Sequence, residues 1–465
     1  MIQNKNKDIF EKLPIGKALW KMALPTIISQ IIVLIYNMAD TFFIGQLNNP
    51  YMVGGASLIL PVFNITLAVA AIAGSGGGTL VSRLLGEKNR EEAKKVGTFS
   101  IYLSIGIALI FSLIMLIFMR PILNLLGASS QTYDYARSYA LCVIVAGAIP
   151  TVLSNVLSTL LRSEGYSKEA GIGITMGGLI NMGLDPLFMF TFFKGQEMVG
   201  VGIATLVSNI LACIFFIIVI ICKKDKSVIS FKPKYLGIQS RSLSSIMSVG
   251  IPSALSTLLF DLDYVIIDKL MSTYGDIALA SIGIVLKVER LPLNVGIGLC
   301  LGMIPLVAYN YASGNTERMK AFFKRTLVWG IIFSIISVLV YEPCASYLIQ
   351  IFIKDSETVR LGTNFLRARV IATPLMFGCF STCYFFQAIG EGKISLLLAV
   401  LRWAAFNIPM LFILNHFIGM YGIVWSQVSA DVLSVIMSIV VFVIYRHKHP
   451  QTFNKISEKG CLEEE

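Results

Sequence analysis

Charge is scarce in this sequence. Of its 465 residues only 14% are Asp, Glu, Lys or Arg, whereas a soluble globular chain carries about a quarter. A soluble globular protein is therefore not expected. Histidine is scarcer still: His416, His447 and His449 are the only three, and they match no metal-ligand spacing with the eight cysteines. The i, i+4 pair Cys379 and Cys383 has no companion ligands, so the cysteines read as filler of apolar segments, not as disulfides or metal ligands. An early apolar region is missing too. The opening MIQNKNKDIFEKLPIGK is polar, and no cleavable signal peptide is expected. Strict apolar–polar alternation is absent, which argues against a β-barrel.

What is present is apolar surface in blocks of membrane length. Hydrophobic residues make up 55% of the chain and the mean hydropathy is +0.75. Apolar segments fall at 20–46, 52–82, 96–120, 137–161, 170–193, 198–222, 244–271, 276–311, 322–343, 358–389, 393–417 and 421–445, here called spans 1 to 12. Several exceed the ~20 residues that a bilayer requires, which predicts tilt or extension into water. The fold class expected is an all-α polytopic membrane protein with twelve transmembrane helices.

The net charge of +11 speaks to topology, not to nucleic acid, and no nucleic-acid partner is expected. Basic residues collect on one side of the predicted spans: Lys5 to Lys21, Arg83 to Lys95, Arg162 and Lys168, Lys223 to Arg241, Arg318 to Arg325, Lys393, and Arg446 to Lys459. The other side has only Arg120, Arg137, Lys194, Lys269, Lys354, Arg360, Arg367 and Arg369. The positive-inside rule then puts both termini in the cytoplasm of a cell that carries the protein in its inner (plasma) membrane, which an even number of spans permits. The basic linker 223–241 serves as a topology determinant and could touch anionic membrane lipids.

The two halves repeat. Leu24-Pro25 opens span 1 and Ile251-Pro252 opens span 7; Ala56-Ser57 opens span 2 and Ala280-Ser281 opens span 8. GEKNREEA (86–93) follows span 2 and GNTERMKA (314–321) follows span 8, at a common offset of 228 residues. Six spans per half make a parallel repeat, two pseudo-symmetric six-helix lobes suited to alternating access. The lobes are read as 1–222 and 242–465, with 223–241 as the linker.

Asp40 in span 1 and Asp185 in span 5 are acids inside apolar runs, with no Lys or Arg in the interior of spans 1 to 6. A carboxylate in hydrocarbon is costly, so it either holds a cation or carries a proton. The alternative is a neutral, hydrogen-bonded Asp that pins two helices. Asp40 is ~9 Å and Asp185 ~12 Å from the outer ends of their spans at 1.5 Å per residue, a similar depth. Asn37 and Tyr36 sit one turn below Asp40, and Asn181 one turn below Asp185 on the same face. Gln30 and Asn64 add polar groups in spans 1 and 2. Carboxylate and amide oxygens of Asp40, Asn181 and Asp185 would be the ligands for Na⁺; no other metal site is expected. The second half differs. Asp261 and Asp263 in span 7 lie at a depth comparable to Lys287, Glu289 and Arg290 in span 8, an ion-pair cluster that is either a second site (Asp261, Asp263, Glu289) or packing. Arg402 and Asp431 are expected to pair, and Asp268 to be solvated.

Pro25, Pro61, Pro150, Pro252, Pro292, Pro305, Pro374 and Pro409 fall in or beside spans and are candidate kinks. Pro25, fifteen residues below Asp40, is the candidate hinge. AGSGGGT (73–79) lacks the ending of a phosphate loop and reads as close helix packing.

The pattern P-x4-Q-x9-D-x4-G (Pro25, Gln30, Asp40, Gly45), with N-x3-D-P (Asn181, Asp185, Pro186) and the GxP opening of span 7 (Gly250, Pro252), resembles the multidrug and toxic compound extrusion (MATE) family. The likeness covers nearly the whole chain and is strongest to the bacterial branch named for a DNA-damage-inducible member. It implies a non-enzymatic antiporter, without organic cofactor, that exports cationic or amphiphilic small molecules in exchange for H⁺ or Na⁺. It implies that Asp40, Asn181 and Asp185 form the ion and substrate site, that Gln30, Tyr36 and Asn37 line it, and that Pro25 bends. A monomer is expected. Another branch carries an acid in span 10; here FGCFSTCYFFQAIG has none, so that branch's C-lobe sodium motif is incomplete. Competing readings are a carrier for one metabolite, such as an amino acid, polyamine or nucleobase, and a lipid-linked oligosaccharide flippase, which typically has more spans and a basic cavity. A membrane enzyme lacks a nucleophile–base constellation.

Overall fold

The structure, a computed structural model, describes residues 7–47 and 49–453. A short helix α1 (Lys7–Glu11) precedes α2 (Ile15–Gln46), α3 (Pro50–Gly86), α4 (Arg90–Ile117) and the short α5 (Met119–Leu125). Then come α6 (Tyr133–Ala140), α7 (Ala148–Ser163), α8 (Ser167–Leu187) and α9 (Glu197–Cys222). The second half holds α10 (Ser240–Ser272), α11 (Asp276–Ala312), α12 (Thr316–Gln350), α13 (Ser356–Val370), α14 (Thr373–Ile389), α15 (Gly392–Val400), α16 (Ile408–Ile418), α17 (Met420–Lys448) and α18 (Pro450–Phe453). Among the described residues there is no β-strand.

Ten helical stretches are long and apolar enough to cross a membrane, and two bent pairs bring the number to twelve. The bent pairs are Tyr133–Ala146 with Ala148–Ser163, and Ser356–Val370 with Thr373–Ile389, each bent by 47°. They occupy the fourth and tenth places, so the repeat read from the sequence extends to the backbone. Pro150 and Pro374 stand in the first turn beyond each bend, where a missing N–H costs nothing in hydrogen bonding and the ring cannot continue the helix before it. By contrast α2 runs unbroken through Pro25.

By compactness the chain falls into two units. One comprises Met1–Ala23, Ser82–Arg90 and Asp263–Glu465; the other comprises Leu24–Val81 and Glu91–Leu262. The division crosses α2, α3, the first turn of α4, and α10, and the 223–241 linker goes with the second unit. Each unit has its own apolar core. In the 24–262 unit Ile59, Met115, Leu123, Ile144, Met189 and Val201 pack together. In the other, Ile267, Ile282, Val285, Phe365, Leu366, Leu411 and Val424 do so. The helices carry apolar residues on their outer faces as well, as expected of helices solvated by lipid tails.

Close backbone approach explains two glycines. A Cβ on Gly171 of α8 would lie 2.6 Å from the carbonyl oxygen of Pro25, and one on Gly178 would lie 2.9 Å from the Tyr36 ring and 3.0 Å from Ile32. Glycine at these positions lets α8 lie directly against α2. That contact carries Asp185 toward Asp40.

Candidate functional site

Asp40 is near the end of α2 and Asp185 near the end of α8. Their carboxyl groups lie within hydrogen-bonding reach of each other. Asp185 is fully buried and Asn181 nearly so. Asn181 Nδ2 donates to Asp185 Oδ1 at 3.3 Å and lies 3.4 Å from Thr205 Oγ1 on α9. Thr205 Oγ1 in turn donates to the carbonyl of Val201, one turn back. Tyr139 at the end of α6 closes the group: its hydroxyl reaches Thr205, and Asp40, Asp185 and Tyr36 are close enough to act on it electrostatically. Three acceptor oxygens, Asp40 Oδ1, Asn181 Oδ1 and Asp185 Oδ2, are buried with no N–H or hydroxyl donor. Buried polar atoms are normally paired. Unmatched acceptors on residues in mutual contact make a place for a proton or a small cation.

Of the residues read from the sequence, the structure gathers Asp40, Asp185, Asn181 and Tyr36. Asn37 is exposed, and only its backbone carbonyl has a described contact, accepting from Thr41 Oγ1 at 3.1 Å. Gln30 and Asn64 are half-buried on α2 and α3; Gln30 lies ~15 Å further along the α2 axis than Asp40, ten residues at 1.5 Å each. No sequence pattern distinguishes Tyr139 among the 17 tyrosines, or Thr205 from other hydroxyl residues of the spans.

The second half holds a different network. Arg369 on α13 donates to Glu289 of α11 through Nε (2.7 Å) and Nη2 (2.8 Å). Tyr264 Oη donates to the same carboxylate at 3.3 Å. Arg402 Nε donates to Asp431 at 2.7 Å, the pair expected from the sequence, and Gln427 Nε2 donates to the other Asp431 oxygen at 3.0 Å. Asn407 Nδ2 donates to Asp263 at 2.5 Å. Two expectations need correction. Arg369, expected from the sequence among the outer-side topology charges, has a side chain that is 1% exposed and serves as the partner of Glu289. Lys287, expected in the cluster, is exposed, and Arg290 covers the ring of Tyr264 at 4.9 Å. A helix reaching the bilayer edge and a bent helix that turns its arginine inward look alike in sequence. Asp261 is half-buried and belongs to the 24–262 unit, while Asp263 belongs to the other. Asp268 is exposed.

Three π-helical stretches mark these clusters. Leu141–Ala146 starts two residues after Tyr139, Phe188–Phe192 starts three after Asp185, and Leu401–Asn407 contains both Arg402 and Asn407. A π-helical stretch is rare overall and frequent at functional sites. Among the described residues no three His, Cys, Asp or Glu side chains form a metal cluster.

Such a fold, twelve spans in two copies of one unit with polar clusters buried among the spans, defines a polytopic membrane transporter. The chain belongs to the MatE family, whose profile matches it twice, over residues 25–187 and 252–413. The multidrug export protein MepA of Staphylococcus aureus is 32% identical over 440 residues, covering 94% of this chain and 96% of the relative. MepA of Staphylococcus haemolyticus is 31% identical over 448 residues, covering 96% and 97%. Among solved structures, a MATE transporter in complex with MaL6 has a TM-score of 0.89 at 24% identity, covering 96% of this chain and 99% of its own. The Vibrio cholerae MATE transporter VcmN, in a mutant form, has a TM-score of 0.89 at 20% identity, covering 95% and 99%. At these identities the structures speak for the fold.

Proposed function

We propose that the chain is a secondary antiporter of the plasma membrane that exports cationic or amphiphilic small molecules in exchange for H⁺ or Na⁺. The observation that carries this reading is the meeting of Asp40 and Asp185. Two ionised carboxylates repel each other and do not stay in contact inside a low-dielectric bundle. They require a shared proton or a cation between them. The pair therefore has two states that differ in charge. Neutralised by the coupling ion, it releases a cationic substrate; bared, it attracts one. Asn181 holds Asp185 through its amide, and Thr205 and Tyr139 extend that network from Asn181. The substrate class rests on the likeness to the MepA proteins, which are named for multidrug export.

The remaining parts of the reading follow from the sequence. The lobes 1–222 and 242–465 alternate access around the site, both termini are cytoplasmic, and the working unit is a monomer. The membrane potential contributes about 2.3 kcal/mol per 100 mV for each net charge that an exchange moves across the membrane.

The test is efflux of a fluorescent organic cation in everted vesicles, with pH and sodium gradients imposed separately, for wild type, Asp40→Asn and Asp185→Asn. Gradient-driven transport is expected to fall to background in both variants while expression and thermal stability persist. The gradient that drives the wild type identifies the ion. Undiminished transport in both variants would overturn the assignment and leave the carboxyl pair a helix clamp.

A further inference from the structure

The linker between the halves is not a loose tether. Glu164 at the end of α7 accepts from Ser227 Oγ at 2.7 Å and from the Val228 N–H at 2.5 Å. Thr98 Oγ1 donates to the Ser230 carbonyl at 2.9 Å, and Tyr102 Oη to the Phe231 carbonyl at 3.0 Å. Val228 and Ile229 are buried. Residues 227–231 thus lie along α4 where its apolar run begins, and the chain continues beside Lys94.

Lys232, Pro233, Lys234 and Tyr235 follow immediately. The ammonium of Lys94 lies 4.6 Å from the Tyr235 ring centroid and that of Lys234 4.9 Å. Hydrogen bonding to Lys234, with the charge of both lysines, holds that phenol below its ordinary value. Two like charges are held on one ring by a pinned segment. Their neighbours are neutralised: Lys95 pairs with Glu91 at 3.4 Å and Lys223 with Glu169 at 2.8 Å. Among the described residues, no ion pair is formed by Lys94, Lys232 or Lys234. Glu92 is taken up by Ser242 at 2.7 Å. The linker's only acid, Asp225, precedes the pinned stretch.

We propose that Lys94, Lys234 and the Tyr235 hydroxyl form a seat for the phosphate of an anionic membrane lipid. The occupant is a lipid because the site stands where a spanning helix leaves its apolar run, at the depth of the headgroups, and because positive charge there attracts anionic lipid. The seat is independent of the transported substrate and of the Asp40 site.

The test is thermal unfolding of the purified full-length protein in detergent, titrated with phosphatidylglycerol, phosphatidylcholine or inorganic phosphate. Phosphatidylglycerol alone is expected to raise the Tm of the wild type. The double variant Lys94→Gln, Lys234→Gln is expected to need roughly 25-fold more of it for the same rise, from the attraction of two lysines for an anionic surface. Tyr235→Phe, which keeps both charges, is expected to lose part of the effect, and Lys95→Gln to lose none. A double variant that responds like the wild type would overturn the proposal. So would a wild-type response of equal size to phosphatidylcholine or to inorganic phosphate.

Discussion

Arg369 grips Glu289 through two parallel N–H···O bonds of 2.7 and 2.8 Å. One residue comes from the first limb of a bent span and the other from the middle of α11. Arg369→Met leaves Glu289 with a tyrosine hydroxyl and no counter-charge, in a place where its side chain is only 17% exposed. The expected loss is about 3–5 kcal/mol of stability, read from thermal or chemical unfolding in detergent. The double variant Arg369→Met, Glu289→Gln is expected to recover most of it, because the isolated charge is gone. A single variant as stable as the wild type would show that the pair carries no structural weight.

Tyr139 and Thr205 flank the acidic pair without being charged. Tyr139→Phe removes one hydroxyl and leaves the ring in its core. Loss of one hydrogen bond of about 1 kcal/mol corresponds to a roughly fivefold weaker hold on the coupling ion. The expected outcome is a shift of the ion-concentration dependence of transport with the maximal rate retained. A fall in maximal rate with unchanged ion dependence would assign Tyr139 to conformational change instead.

The α2–α8 contact depends on glycine. Gly171→Ala puts a methyl 2.6 Å from the Pro25 carbonyl oxygen, and backbone cannot step aside as a side-chain tip can. Overpacking of this kind costs about 1–3 kcal/mol. Gly178→Ala instead pushes on Tyr36 and Ile32. Gly171→Ala is therefore expected to lower the Tm, and Gly178→Ala to weaken transport with a smaller change in Tm. Equal Tm losses would mean that the Tyr36 ring is as immovable as the Pro25 backbone.

Arg318 holds the N-terminal helix. It donates to three carbonyls at the end of α1: Phe10 at 2.6 Å, Leu13 at 2.6 Å and Ile9 at 3.3 Å. Tyr309 stacks on Phe10 and donates to Glu11 at 2.6 Å. Charge-assisted bonds to helix-end carbonyls contribute about 1.5–3 kcal/mol, and Asn310 Nδ2 adds a second donor to the Phe10 carbonyl at 3.2 Å. Arg318→Ala is expected to free α1, seen as faster tryptic cleavage after Lys12 in the folded protein. An unchanged cleavage rate would leave the aromatic stack as the sufficient tie.

The sequence alone determined the class, the number of spans and the two acids, because each rests on a local or additive property. Apolar length sets a span, the distribution of lysine and arginine sets its orientation, and an acid in hydrocarbon is conspicuous by its cost. The double match of the family profile repeats what Pro25 and Pro252 already indicated. Tertiary structure alone decided which partners these residues meet. No periodicity in the chain says that Asp40 comes beside Asp185, that Tyr139 and Thr205 join them, or that Arg369 turns inward to Glu289. Those pairings depend on where α6 and α13 bend and on which glycines let helices approach, and a bend of 47° is set by the packing of the whole bundle around it.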